Sequence, residues 1–188
     1  MPILGITASS VLKSTTSFES ISTVTVGTPV SSIEFTSIPA TYTHLQIRGI
    51  GRGTYNGAVN EDQYMYIQFN SDTASNYSRH RLSGSGSAAS SGAETSQNQG
   101  MASWIPTLNA TANVFYGAVF DILDYANTNK FKTVKSLNGG DMTGAGYIHL
   151  YGSLWRSTSA VTSIKLSPQS NNFAQYTSYA LYGIKVAP

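Results

Sequence analysis

Histidine is the residue type in this chain best suited to binding a metal or moving a proton. The three histidines, His44, His80 and His149, are far apart, and none has a second histidine or a cysteine at the spacing of a zinc site. The spacing therefore predicts no metal site. Each histidine is interpreted as a polar side chain on a strand.

Asp121 and Asp124 come nearest to a pair of catalytic carboxylates. Residues three apart on a strand point to opposite faces, so the two cannot act together as acid and base. We expect Asp121 to point outward and Asp124 to form a turn. Ser85, between Gly84 and Gly86, lacks the strand-to-helix turn of a serine hydrolase. The sequence predicts no catalytic residue, no cofactor and no enzyme.

Aromatic side chains offer a second kind of chemistry, the recognition of sugars. Trp104, Trp155 and the twelve tyrosines combine a flat apolar body with a polar tip, which suits stacking on a sugar ring. The alternative, which we favour, is packing in the core and between subunits. Trp104 and Trp155 are the candidate glycan-stacking residues of this alternative.

The composition predicts one folded domain with a polar but sparsely charged surface. Charged residues make up 11% of the 188 residues, against about 25% in an average soluble protein, whereas 40% are hydrophobic. The formal net charge is +2, and its basic residues are scattered. Nucleic-acid binding needs clustered Lys and Arg, and Arg79-His80-Arg81 is too small a group to predict it.

The chain carries no pattern for export or membrane insertion. Residues 1–6 lack a basic leader, and no stretch approaches the roughly 18 apolar residues of a membrane span. The chain contains no cysteine, which is compatible with assembly in a reducing bacterial cytoplasm. We therefore expect a protein that is made in the cytoplasm and does not enter a membrane.

The elements that must position these residues are strands. Residues 43–48 alternate cleanly, with Leu45 and Ile47 on one face and polar side chains on the other. Residues 114–120 are apolar at odd and even positions, which predicts a strand covered on both sides, either central or buried by a neighbouring subunit. Many short strands without a helical period predict an all-β, antiparallel, jelly-roll-like β-sandwich over residues 20–188.

Two segments lack the strand pattern. Residues 1–19 are rich in Ser and Thr and are interpreted as an extended N-terminal arm. Residues 83–100 contain no large apolar anchor and exceed the usual loop length of about 4–6 residues, so they are interpreted as a mobile surface loop or an interface loop.

Five stretches of the chain carry a similarity to known proteins. Residues 33–48 and residues 179–185 are the more specific ones, and residues 69–82, residues 124–133 and residues 3–10 add to them. These stretches resemble a group of structural proteins of tailed-bacteriophage particles, which includes capsid decoration, head-fibre and tail-associated proteins.

The resemblance implies a β-sandwich subunit that forms a homo-oligomer on the virion surface, with no catalytic residues. We favour a trimer that binds the major capsid protein or other virion proteins, with the arm residues Ile3, Leu4 and Ile6 at a subunit or capsid interface. The alternative function is a tail-associated receptor-binding module for host-surface glycans.

Overall fold

The computed structural model describes residues 17–57 and 61–185, which form two antiparallel sheets. The described residues contain twelve strands and no helix. The strands are β1 (Phe18–Thr25), β2 (Ile33–Phe35), β3 (His44–Gly51), β4 (Asp62–Phe69), β5 (Tyr77–Gly84), β6 (Ala89–Gln97), β7 (Gly100–Pro106), β8 (Tyr116–Leu123), β9 (Lys132–Asp141), β10 (Gly146–Trp155), β11 (Ile164–Pro168) and β12 (Ser178–Ile184).

The strands pair in the nested order of a jelly roll. β1 pairs with β12, β2 with β11, β3 with β8 and β4 with β7, as if one long hairpin were rolled into two facing sheets. The four-stranded sheet has the order β2-β11-β4-β7, and β1-β12-β3-β8 forms half of the other sheet. The predicted antiparallel sandwich with jelly-roll-like topology is confirmed.

Two inserted hairpins double the width of the second sheet. β9 and β10 follow β8, and β5 and β6 continue from β10, which gives the order β1-β12-β3-β8-β9-β10-β5-β6. We call β9, β10, β5 and β6 the extension. It runs past the edge of the small sheet, so β7 contacts β5, β8, β9 and β10.

Alternating side chains explain which face of each strand meets the core. In β3, Leu45 and Ile47 are fully buried between the sheets, as predicted, while Gln46 and Arg48 face outward. β8 is a central strand of the large sheet, also as predicted. Its inward residues are buried, but Val119 on its outward face is only half-buried.

The core also encloses two cations whose charges are met by backbone carbonyls. Lys132 Nζ donates to the carbonyls of Asn127, Lys130 and Thr158 at 2.6, 2.7 and 3.2 Å. Arg52 donates to the carbonyls of Ala110, Thr111 and Val114 at 2.8–3.1 Å. Both side chains therefore fix loops to the sandwich.

The structure corrects the interpretation of residues 83–100. β6 occupies half of this segment and pairs with β5 along its length, while Ser83 and Gly84 belong to β5 and Gly100 belongs to β7. β6 is exposed on both faces and carries only small or polar side chains. Its pairing rests on backbone hydrogen bonds to β5, which leave no signal in a hydrophobic pattern.

The predicted arm overlaps the first strand. β1 begins at Phe18, so residues 18 and 19 belong to the sandwich and not to an arm. Residues 1–16, including Ile3, Leu4 and Ile6, lie outside the described residues. In the described part of the chain, no helix has the length and apolar character needed to cross a membrane.

Candidate functional site

A cluster of arginine and aromatic side chains fills the junction between the extension and β7. The side chains come from strands that are far apart in the sequence but adjacent at this edge. We call it the junction cluster; its members are Tyr64, Tyr66, Arg79, Arg81, Trp104, His149 and Tyr151.

Strand alternation aims these side chains at one another. In β4, Met65 is buried in the sandwich core, so Tyr64 and Tyr66 point away from it toward the extension. In β5, Arg79 and Arg81 share the face that meets these tyrosines, while His80 lies exposed on the opposite face. The sequence pattern Arg-x-Arg marks this shared face.

Trp104 is held inside the cluster. Its indole stacks on the His149 ring at 5.1 Å and 7°, and Tyr64 packs against it in a T-shaped contact at 4.3 Å. Its Nε1 donates a hydrogen bond to the Tyr151 hydroxyl. His149 therefore covers one face of the indole, and the side chain as a whole is half-buried.

The structure corrects the candidate role of Trp155. Its side chain is 2% exposed and packs against Phe69 and Tyr77 in the core. Its Nε1 donates to Asp72 Oδ2 at 2.7 Å, which satisfies the one polar atom of the indole. Trp155 therefore presents no face to a glycan, because its ring is packed against other aromatic rings in the core.

Ser83 and His149 form a hydrogen-bonded pair that resembles a nucleophile and its base. Ser83 Oγ lies 2.7 Å from His149 Nδ1, but both side chains are buried. Burial, with the nearby charge of Arg81, lowers the pKa of His149 to about 4, and its Nε2 has no hydrogen-bond partner among the described residues. A neutral imidazole with so low a pKa is a weak base, so the pair is suited to packing.

Asp62 at the start of β4 is a second buried ionisable group. Burial, reinforced by the charge of neighbouring Glu61, raises the pKa of Asp62 to about 6. Its Oδ2 and the buried hydroxyl of Tyr116 both lack a hydrogen-bond partner among the described residues. Asp62 is thus a source of pH-dependent stability.

The outward face of the large sheet carries a contiguous apolar surface. Leu82, Leu150 and Leu137 lie directly opposite one another on three adjacent strands, and they are 55%, 50% and 56% exposed. Ile148, two residues from Leu150 on the same face, is 65% exposed. We call these four residues the apolar face.

A row of glycines turns part of this surface into a groove. The cross-strand row runs Gly84, Ile148, Gly139, Gly117 and Ile50, so three of its five positions have no side chain. The resulting cavity, bordered by Leu137 and the turn at residues 144–146, has a volume of about 860 Å³. Another backbone can approach closely where side chains are missing.

Asp121 and Asp124, the two carboxylates singled out in the sequence, have different partners, and His44 lies 3.6 Å from Asp124 Oδ1. Gln46 donates to Asp121 Oδ1 at 2.6 Å on the outward face. Asp124 adopts a φ of 50° in a turn, where Lys130 Nζ donates to it at 2.7 Å. The predicted outward position of Asp121 and the predicted turn at Asp124 agree with the structure. Among the described residues, no three His, Asp or Glu side chains form a metal-binding group.

No protein-family model matches this chain, and no curated protein matches it. The resemblance to tailed-phage structural proteins therefore rests on the sequence stretches quoted above.

Proposed function

We propose that the chain is a non-enzymatic structural protein of a tailed-phage particle, of the capsid decoration or head-fibre type. In this proposal it is made in the bacterial cytoplasm and binds the virion surface as a homo-oligomer. Its partners are sister copies and the major capsid protein or other virion proteins. The observation that supports this best is the apolar face on the large sheet.

The apolar face is the kind of surface that stable assemblies bury. Single exposed apolar side chains are ordinary, but contiguous ones mark interaction sites. Full burial of a leucine or isoleucine contributes about 1.5–3 kcal/mol, and each of the four residues keeps about half its surface in water. Covering them would contribute on the order of 3–6 kcal/mol per subunit.

The surroundings of the apolar face suit contact between subunits. Beyond Leu137, the cross-strand row continues through Val119 to Arg48. On the same outward face, two residues along these strands from Leu137 and Val119, Lys135 and Asp121 lie opposite each other. An apolar centre with a polar border is the usual anatomy of a protein–protein interface. A trimer is the assembly that we propose.

Light scattering on the purified chain tests the assembly. We expect about three times the monomer mass for the natural sequence. The double variant Leu137→Asp, Leu150→Asp should be monomeric, because each buried carboxylate would lack a partner. Leu108→Asp is the matched control, since Leu108 is 51% exposed on a loop outside the apolar face. A monomeric natural chain, or an unchanged oligomer in the double variant, would contradict the proposal.

Immunogold labelling of purified particles tests the virion location. Particles of a phage whose genome encodes the chain should carry label on their surface at regular positions. Label confined to free protein after particle purification would count against a virion role, even if the chain were a trimer.

The alternative, a tail-associated receptor-binding module that binds host glycans through exposed tryptophans, has less support. Trp155 is buried, and Trp104 is half-buried and packs against His149 and Tyr64. A glycan-binding function would have to use other residues.

A further inference from the structure

A small cavity opens in the junction cluster between β4, β5, β6 and β10. Its volume is about 220 Å³, and its walls include Tyr64, Tyr151, Arg79, Arg81, Gly92 and Glu94. Two arginines and two phenol groups line one space of this size. The partners of each arginine show what the cavity can bind.

Arg79 is neutralised by a carboxylate of the same chain. Its Nη2 donates to Glu94 Oε2 at 2.5 Å, and its Nη1 lies 3.7 Å from Met101 Sδ. Its guanidinium also lies 5.7 and 5.6 Å from the ring centres of Tyr64 and Tyr66. Arg79 is therefore a structural part of the cavity wall.

Arg81 has no carboxylate partner among the described residues, and its polar neighbours are hydroxyl groups. Its Nη1 lies 3.4 Å from the Tyr64 hydroxyl, and the Tyr151 hydroxyl is its other polar neighbour. Its Nε is buried with no hydrogen-bond partner among the described residues. Arg52, by contrast, is buried with three backbone carbonyls around its guanidinium.

No carboxylate of the described chain neutralises Arg81. All nine Asp and Glu residues of the sequence lie within the described ranges, and none of the ion pairs among described residues includes Arg81. A half-buried guanidinium without an acid is costly, because buried charges are normally paired. An anion from outside the chain would complete the arrangement.

We propose that this cavity binds an acidic sugar, with its carboxylate on Arg81. The planar guanidinium matches a carboxylate through two parallel hydrogen bonds. The Tyr64 and Tyr151 hydroxyls and the Glu94 carboxylate supply donors and acceptors for sugar hydroxyl groups. Gly92, directly opposite Arg81, places no side chain over the guanidinium.

Titration with a matched pair of sugars tests the proposal. Methyl β-glucuronide carries the carboxylate, and methyl β-glucoside is its neutral counterpart. The ¹⁵N-labelled natural chain should show a saturable shift of the Arg81 Nε–H signal with the glucuronide and none with the glucoside. Acetate should bind at least about tenfold more weakly than the glucuronide, because it offers nothing to the tyrosine hydroxyls.

Three variants assign the binding to Arg81. Arg81→Gln should weaken glucuronide binding at least about tenfold, and Arg81→Lys should weaken it as well, because a lysine keeps the charge but loses the paired donors. Arg156→Gln is the matched control: it removes the same charge from an exposed position after β10 that lies outside the cavity, and it should bind as the natural chain does.

A fourth variant leaves Arg81 itself unchanged. A Cβ at Gly92 would lie 3.1 Å from Arg81 Nε, so Gly92→Val should displace the guanidinium and weaken binding. Thermal unfolding of each variant confirms that it is folded. Absence of saturable glucuronide binding, unchanged binding in Arg81→Gln, or binding of an aspartate-rich peptide in preference to the sugar would overturn the proposal.

Discussion

Ser153 on β10 satisfies both backbone groups of Met101 on β7. Its hydroxyl accepts from the Met101 N–H at 3.2 Å and donates to the Met101 carbonyl at 2.9 Å. β7 is an edge strand of the small sheet, and such an edge exposes unpaired N–H and C=O groups. A side chain of the extension thus bonds the backbone groups of Met101 at an edge where no further strand of the small sheet pairs with β7.

Ser153→Ala should destabilise the fold by about 1–3 kcal/mol, because it leaves two buried backbone groups without a partner. Urea unfolding at pH 7 would measure the loss. Ser91→Ala on the exposed strand β6 is the matched control and should change stability by less than about 0.5 kcal/mol. Equal stabilities of the two variants would show that Ser153 does not support the β7 edge.

Acidification should destabilise the protein through His149. Its folded-state pKa of about 4 lies below the ordinary 6.5, so the unfolded chain binds more protons between these values. The stability associated with neutral His149 is therefore complete above pH 6.5 and is lost as the pH falls toward 4. We expect a loss of about 1–2 kcal/mol between pH 7 and pH 5, measured by urea unfolding.

The variant His149→Phe checks this origin. It keeps a ring for stacking on Trp104 but cannot titrate, so its stability should change less between pH 7 and pH 5 than that of the natural chain. A pH dependence equal to that of the natural chain would assign the effect to other groups. His80→Phe, on an exposed position of β5, controls for removal of a histidine.

Asp62 should act in the opposite direction. Its folded-state pKa of about 6 lies above the ordinary 3.8, so folding favours the protonated form and the stability that it contributes falls as the pH rises from 3.8 through 6. Asp62→Asn should remove this dependence and raise the free energy of unfolding at pH 7 by about 1–2 kcal/mol.

Paired urea-unfolding curves at pH 4.5 and pH 7 would measure the effect of Asp62→Asn. Glu34→Gln, at an exposed position of β2, is the control for replacing a carboxylate by an amide. A variant Asp62→Asn that is less stable than the natural chain at pH 7 would mean that Asp62 is ionised and compensated in the fold.

Lys132→Met should be strongly destabilising. Its ammonium group is the shared donor to three backbone carbonyls, which would be left unsatisfied. We expect a loss of about 2–4 kcal/mol in thermal or urea unfolding. Lys135→Met lies on the same strand with its side chain on the exposed face, so a similar loss there would refute the role assigned to the three carbonyls.

Local patterns in the sequence were enough to predict the fold class. Leu45 and Ile47 alternate with polar residues because a half-buried strand needs exactly two kinds of face, and this requirement acts within a few residues. The same rule separated Asp121 from Asp124. β6 escaped prediction because its strand pairing depends on backbone hydrogen bonds to β5, and its small side chains bury almost nothing.

The junction cluster could be predicted only in fragments. The alternation of Arg79 and Arg81 places both on one face, but their neighbours Tyr64 and Tyr151 come from strands about fifteen and seventy residues away in the sequence. Trp104 and Trp155 look alike in the sequence, yet one lies in the cluster and the other in the core. Their environments depend on which strands pair and in what register.

The sequence by itself determined an all-β chain with alternating faces and few charges, since hydrophobic alternation is a property of each strand alone. Tertiary structure decided that β10 lies between β9 and β5 in the sheet and that Ser153 bonds the backbone of β7. It also decided that Arg81 faces Tyr64. The physical reason is that strand pairing joins residues far apart in the chain, so the partners of a side chain are set by register and sheet order, which no local pattern contains.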